Sequence, residues 1–483
     1  MTRRYPSLAL HIDGAWIHAR ERATIPVLNP ATDEVLGDLP CADPDDLEAA
    51  AAAADRGFRL WKAISPYERA KVLRRAAAIL RERAADIAPV VTLEQGKPLA
   101  ESMLEVETSA EIIEWFADEG RRTYGRIVPA RAADVQQLVI REPVGPVAAF
   151  TPWNFPIGQA TRKLAAALSA GCSVILKGPE DTPASCMALV RALLDGGVPS
   201  EALALVFGDP AAISAQLTAD ARIRKISFTG STAVGKQLAA MAGTHMKRAT
   251  MELGGHAPAI VFADADIELA AATLAAGKFR NAGQICIAPT RFLIEAPVHD
   301  RFLAAFTEHA RRVQVGDGLA AGTTMGPLAH ARRVMAMEAI VADAAEQGAA
   351  VHLGGARIGN RGSFFQPTIL TGVTPAMQAM NEEPFGPIAL IGQFSCEAEA
   401  ITEANRLAFG LAAYAWTRSA ATVARLSAHV ESGMLSINHQ GLALIETPFV
   451  GVKDSGYGSE GGVEAMEPYL NTRFVSHRTW EWR

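Results

Sequence analysis

Four short stretches of the chain carry residue types suited to chemistry. Cys286 lies in Asn281-Ala-Gly-Gln-Ile-Cys-Ile-Ala-Pro-Thr290, with Gly283 and Gln284 ahead of it and Pro289 behind. A loop at a helix end can expose a thiol. The thiolate is the nucleophile, and an ordinary thiol with a pKa of about 8.5 needs help to ionise near neutrality. The plainer reading is a small buried hydrophobe. Glu252 is flanked by Met251 and Leu253 and followed by Gly254-Gly255. Partial desolvation raises such a carboxylate toward a useful general base; taken alone, the plainer reading is a salt-bridged turn residue. Asn154 follows Trp153 between Pro152 and Pro156. Its amide can donate to a developing oxyanion or close an Asx-turn. Gly230-Ser-Thr-Ala-Val-Gly-Lys-Gln237 nearly spells a phosphate loop, but Gln237 stands where a hydroxyl must ligate Mg²⁺. What remains is a set of small residues that lets backbone approach a pyrophosphate at a helix N-terminus, or an ordinary βα turn.

These residues need elements to position them, and the hydropathy pattern supplies alternating strands and helices. Short apolar strands are expected at 144–150, 173–177, 203–207 and 225–229, with helices at 157–170, 183–194 and 232–242. Parallel strands require such crossovers, so the pattern predicts a doubly wound α/β sheet. Its ligands bind at the carboxyl ends of the strands, which selects the loops 151–156, 177–183 and 230–235. No GxGxxG opens any of these helices. A second α/β run starts near Pro258, with helices at 266–280, 332–347 and 396–407 and strands at 291–294 and 411–416. Helices also fill the first third. One spans 43–62, another 101–119, and between them Ser65-Pro-Tyr-Glu68 spells a capping box that starts a helix with Val72, Ala76, Ile79, Arg83 and Ile87 along one face.

The 483 residues suffice for two or three domains. With 46 basic and 52 acidic side chains the net charge is −6, and 49% of residues are hydrophobic. Disorder and a nucleic-acid partner are both excluded on these grounds. The longest nearly apolar run, Leu164 to Leu176, is shorter than the ~18 residues that span a bilayer. Met1-Thr-Arg-Arg opens like an export signal, but His11 and Asp13 break the apolar stretch after Leu8-Ala-Leu10. The five scattered cysteines form no CxxC, the histidines form no HExxH, and no metal site is expected. Free thiols fit a cytoplasmic location.

Taken in order, Thr151-Pro-Trp-Asn-Phe-Pro156, Lys177-Gly-Pro-Glu180, Phe228-Thr-Gly-Ser231, Glu252-Leu-Gly-Gly255, Gly283-Gln-Ile-Cys286 and Glu382-Glu-Pro-Phe-Gly-Pro387 resemble the aldehyde dehydrogenase superfamily. The resemblance runs from Asn29-Pro30 to Lys453–Gly456. It implies a Rossmann-like parallel-sheet cofactor domain (1–123 and 144–254), a second α/β catalytic domain (255–454) and a small β oligomerisation arm (124–143 and 455–483). It implies Cys286 as the nucleophile, Asn154 with the Cys286 backbone N–H as oxyanion donors, and Glu252 as the base that hydrolyses a thioester. On the cofactor side it implies Thr151, Trp153, Lys177, Glu180, Gly230, Ser231, Gly235 and Leu253 around adenosine and pyrophosphate, and Glu383 and Phe385 near the nicotinamide ribose. Glu180 can accept from ribose hydroxyls and repels a 2′-phosphate, so NAD is favoured over NADP.

Arg162 and Arg280 lie near the two oxyanion donors in sequence, and in the succinate-semialdehyde branch arginines at these places bind the far carboxylate. Guanidinium suits that task by bidentate donation. The chain departs from that branch in lacking the serine usual within 441–446 and in having Val450 for the commoner glycine; other stretches, among them Trp115–Arg122 and Asp454–Gly462, resemble 2-oxoglutarate semialdehyde dehydrogenases, and His256 replaces the family's commoner lysine. The expected substrate is therefore a small carboxylated aldehyde. Another aliphatic or aromatic aldehyde, or a hydrolase using Cys286 and Glu252 alone, are the alternatives. The strips 136–141 and 471–476 read as exposed strands, and a homo-oligomer, dimer or tetramer, is expected.

Overall fold

The computed structural model describes residues 5–20 and 22–478. The Met1–Arg4 opening and the last five residues of the expected arm lie outside them. Five parallel strands form the centre of an eight-stranded sheet, in the order Leu203–Val206, Val174–Lys177, Val147–Phe150, Lys225–Thr229 and Arg248–Glu252. All but the last are buried along their whole length, which is why they read as unbroken apolar runs. The strand order reverses between Val147–Phe150 and Lys225–Thr229. A crevice opens at such a switch point, and the loops leaving these two strands carry Asn154 and Gly230.

The hydropathy pattern marks no strand before the strip 136–141, yet Ala9–Ile12 and Ala15–His18 extend this sheet antiparallel on one edge, and Gly456–Tyr457 closes the other. The GxGxxG spacing does occur at Gly456–Gly461, but it follows this edge strand and leads into a 3-10 turn, not a helix. The helix expected to run past Arg83 is two, Pro66–Glu82 and Ala84–Gln95, because Arg83 leaves helical geometry at ψ 2°. Ser65 caps the first through the Glu68 N–H, without the reciprocal bond of a full capping box; that box is formed instead by Asp43 and Asp46 on Pro44–Ala63.

The second sheet has seven strands, with Pro289–Glu295 between Ile388–Phe394 and Ala257–Val261, followed by Ala412–Trp416 and Met434–Ile437. Ala350–Leu353 and Thr368–Thr371, from the stretch that resists sequence reading, form its other edge. A third sheet pairs Leu470–Arg478 antiparallel with Val135–Pro143 along nine residues, with Arg126–Val128 outside. Phe474, Ile127 and Tyr124 are exposed there. Among the described residues no helix is long and apolar enough to cross a membrane.

Candidate active site

The chain reaches Cys286 through a tight turn. After the helix Ile267–Phe279, Asn281, Ala282 and Gly283 all take left-handed conformations, with φ of 47°, 52° and 71°. Two of them are not glycine, and such strain persists only where surroundings impose it. At Gly283 a Cβ would sit 2.1 Å from the Gly386 carbonyl, so no larger residue fits. Gln284 secures the turn, accepting from Ala329 N–H at 2.9 Å and donating to Asn281 O at 3.1 Å. The Tyr414 hydroxyl donates to Ile287 O at 2.6 Å. Cys286 itself stays half-buried. Burial, with Glu383 and Glu252 nearby, pushes its thiol well above the usual value.

Asn154 is buried across from this turn. Its Nδ2 donates to Gln284 O at 3.0 Å, and its Oδ1 has no partner. Its backbone carbonyl accepts from Asn281 Nδ2 at 3.0 Å and from Lys97 Nζ at 2.8 Å. Glu252 ends its strand beside Thr229 and is 2% exposed, with both carboxylate oxygens unpartnered. Burial, and then the Glu460 carboxylate, raise its pKa well above the usual range, while Lys163 and Arg162 pull the other way. The buried Lys163 ammonium pairs with Glu460 and donates to Thr229 Oγ1 at 2.7 Å. Lys163, Glu460, Lys97 and Glu105 were not singled out in the sequence. Their signal was a charged residue inside an otherwise apolar helix face or glycine-rich loop.

Cys286 stands at the junction of two cavities. One, of about 360 Å³, is lined by Trp153, Asn154, Gly230, Ser231, Glu252, Leu253, Glu383 and Phe385, joined by His330 and Arg333. Trp153 packs edge-on against Phe385 and His330, with ring centres 5.6 and 5.5 Å apart. Glu383 is pushed up to about 8, mainly by burial. The other cavity, of about 250 Å³, is lined by Arg162 and Arg280 among Phe155, Ile285, Ile287 and Phe449. Arg162 is buried, donates to Glu460 O at 3.0 Å and Ala443 O at 3.4 Å, and stacks on Phe449. Arg280 is half-exposed over the Phe155 ring.

Lys177, Glu180, Thr151 and Gly235 do not line either cavity. Lys177 Nζ donates to Glu180 Oε2 at 2.7 Å, and Gly208 N–H donates to Glu180 Oε1 at 3.2 Å. A Cβ on Gly235 would meet Leu253 at 2.2 Å, so the helix Thr232–Thr244 lies directly on that side chain. Ser231 precedes this helix without capping it, which leaves the hydroxyl and the helix amino end free beside the larger cavity. The buried Thr151 hydroxyl also lacks a partner. A helix amino end, small residues, two aromatic rings and a carboxylate at one crevice fit a dinucleotide. His256 is not part of this site. It is a buried imidazole bonded to Thr290 Oγ1 at 2.7 Å and Ala379 O at 2.9 Å.

Residues 16–475 match the sequence profile of the Aldehyde dehydrogenase family. A 4-(hydroxymethyl)benzenesulfonate dehydrogenase of Comamonas testosteroni is 44% identical, over 97% of this chain and 98% of its own. The NADP(+) succinate-semialdehyde dehydrogenase of Escherichia coli K12 is 42% identical over 96% of each chain. The crystal structure of a succinate-semialdehyde dehydrogenase from Burkholderia pseudomallei superposes with a TM-score of 0.96 at 40% identity, covering 98% of both chains.

Proposed function

The chain belongs to the aldehyde dehydrogenase family and is an oxidoreductase, and from that premise we propose that it oxidises a small anionic aldehyde, succinate semialdehyde or 2-oxoglutarate semialdehyde, to the acid through Cys286. The observation that carries this reading is the position of Cys286 between an arginine-bearing cavity and one that opens beside a helix amino end, two aromatic rings and Glu383. The Cys286 thiol gives its proton to the unpartnered Glu252 carboxylate on the same cavity, which passes it to solvent, and the sulfur attacks the aldehyde carbon. The Asn154 amide and the Cys286 backbone N–H take the oxyanion, and such donors act best in a dry, fixed site. The dinucleotide supplies the two-electron oxidant. Covalent capture splits one hard oxidation into two steps, and Glu252 then draws a proton from the water that releases the acid. Its raised pKa and unpartnered oxygens suit a base held ready in an apolar site.

Relatives named for succinate semialdehyde and for a benzenesulfonate both support an anionic substrate. Arg280 is the group to receive it, with the buried Arg162 lining the same cavity. We assign NAD as the preferred cofactor, because Glu180 presents a carboxylate and engages Lys177. The Escherichia coli relative is named for NADP(+), so both cofactors belong in the test. The paired strands Leu470–Arg478 and Val135–Pro143, with exposed Phe474, support a homo-oligomer, and the free cysteines a cytoplasmic enzyme. A hydrolase without a dinucleotide has no support in the family. The test is formation of reduced cofactor with NAD or NADP and a panel of succinate semialdehyde, 2-oxoglutarate semialdehyde, 4-formylbenzenesulfonate and butanal. Anionic aldehydes and NAD are expected to lead, with Cys286→Ala inactive. Equal use of butanal, or an active Cys286→Ala, refutes the reading.

A further inference from the structure

The backbone carbonyl of Asn154 rests against a buried ion pair. Lys97 Nζ donates to Glu105 Oε2 at 2.5 Å and to Asn154 O at 2.8 Å, and it lies 3.8 Å from the centre of the Phe155 ring. The side chains are 0% and 3% exposed. Glu105 Oε1 accepts from the backbone N–H groups of Ile157 at 2.9 Å and Gly158 at 3.1 Å. These open the helix Pro156–Ala170, about one turn short of Arg162. The pair therefore holds the Asn154 segment from both sides, Lys97 by the carbonyl and Glu105 by the helix that follows.

Burying two charges carries a desolvation cost that their attraction often fails to recover, and apolar residues of similar volume serve stability as well. The pair's bonds converge on one short segment, 154–158, that bears Asn154, which lines the same cavity as Cys286. We propose that Lys97 and Glu105 are positioning residues for the reaction at Cys286: they fix the backbone of Asn154 so that its side-chain amide meets the oxyanion. The proposal rests on Asn154 being that donor. A reacting group displaced by about 1 Å loses on the order of 10²-fold in rate.

The test compares Lys97→Met and Glu105→Gln, each alone and combined with Asn154→Ala, in the full-length enzyme with succinate semialdehyde and NAD. Thermal unfolding and dinucleotide affinity by fluorescence are measured alongside. Glutamine keeps an acceptor for Ile157 and Gly158, so Glu105→Gln decides the matter if Lys97→Met does not fold. Each single variant is expected to lose roughly 10- to 100-fold in kcat, with aldehyde KM and dinucleotide affinity unchanged. On the Asn154→Ala background the further loss is expected to be about 3-fold or less, because groups that act as one unit are not additive. Losses that multiply on that background, losses carried by KM or dinucleotide affinity, or single variants as fast as the parent overturn the proposal. If Asn154→Ala is itself fully active, the reading of Asn154 falls too; if it is crippled while the other variants are not, only the positioning role falls.

Discussion

The two arginines of the smaller cavity differ in what they have to spare. Arg162 is buried and already donates to two backbone carbonyls while stacking on Phe449. Arg280 has a side chain 46% exposed, and its ion-pair partner Glu101 is 3.8 Å away, beyond hydrogen-bond distance. Arg280 is therefore the arginine with N–H groups to offer an incoming anion. A hydrogen bond to a charged group contributes roughly 1.5–3 kcal/mol. Half-exposure brings screening, so the lower end applies, about 1.5 kcal/mol or tenfold in affinity. Arg280→Ala is expected to lower kcat/KM for succinate semialdehyde about tenfold, through KM, and to leave butanal within about twofold. Its melting temperature should move little, since a half-exposed side chain whose contacts are the Phe155 ring and a Glu101 carboxylate 3.8 Å away is worth about 1 kcal/mol or less. Arg162→Ala removes bonds to the segments around Ala443 and Glu460, so it should impair both aldehydes and lower the melting temperature. The assay is initial rate against aldehyde concentration, for both substrates, in wild type and both variants. An equal loss on butanal and semialdehyde in Arg280→Ala would mean that the residue shapes the cavity without reading charge, and no loss on either would remove it from the site.

Three other side chains give outcomes of their own. Glu252→Gln should cut turnover about 10²- to 10⁴-fold, as removal of a general base does, and leave a single-turnover burst of reduced cofactor. A folded-state pKa raised above the unfolded value gives stability that is present below about pH 4.3 and lost as pH rises through the raised value. Glutamine has no such loss, so its melting-temperature advantage should widen with pH over that window; a gap that narrows refutes the assignment. Glu180→Ala frees the Lys177 ammonium, 2.7 Å away, and should raise kcat/KM for NADP relative to NAD by about tenfold, the worth of one charged contact; an unchanged ratio sinks the Glu180 argument. Gly283→Ala adds a Cβ 2.1 Å from Gly386 O at a φ of 71°. The strain is of order 1–3 kcal/mol, and both thermal stability and the rate of Cys286 labelling by a thiol reagent should change; a variant unaltered in both would show the turn to be loose.

Much of the site is written locally. Cys286, Glu252 and Asn154 each sit where a strand or helix ends, among glycines and prolines, and the period of the surrounding apolar residues locates those ends. The parallel sheet is equally legible, because strands buried on both faces must be apolar throughout. The edge hairpin of Ala9–Ile12 and Ala15–His18 is not: it joins the sheet only where His11 pairs with Leu205, almost two hundred positions away. The same holds for the groups that set the chemistry. Lys97 meets Asn154 across 57 residues, and Lys163 meets Glu460 across 297. Composition cannot reveal that a lysine in the short loop after Gly96 is fully buried, or that one of two arginines is spent on backbone while the other is free. The amino-acid order alone determined which atoms can react and which layers carry them. Only the tertiary structure decided their desolvation, their partners and their aim, since these depend on distances between segments that the chain leaves far apart.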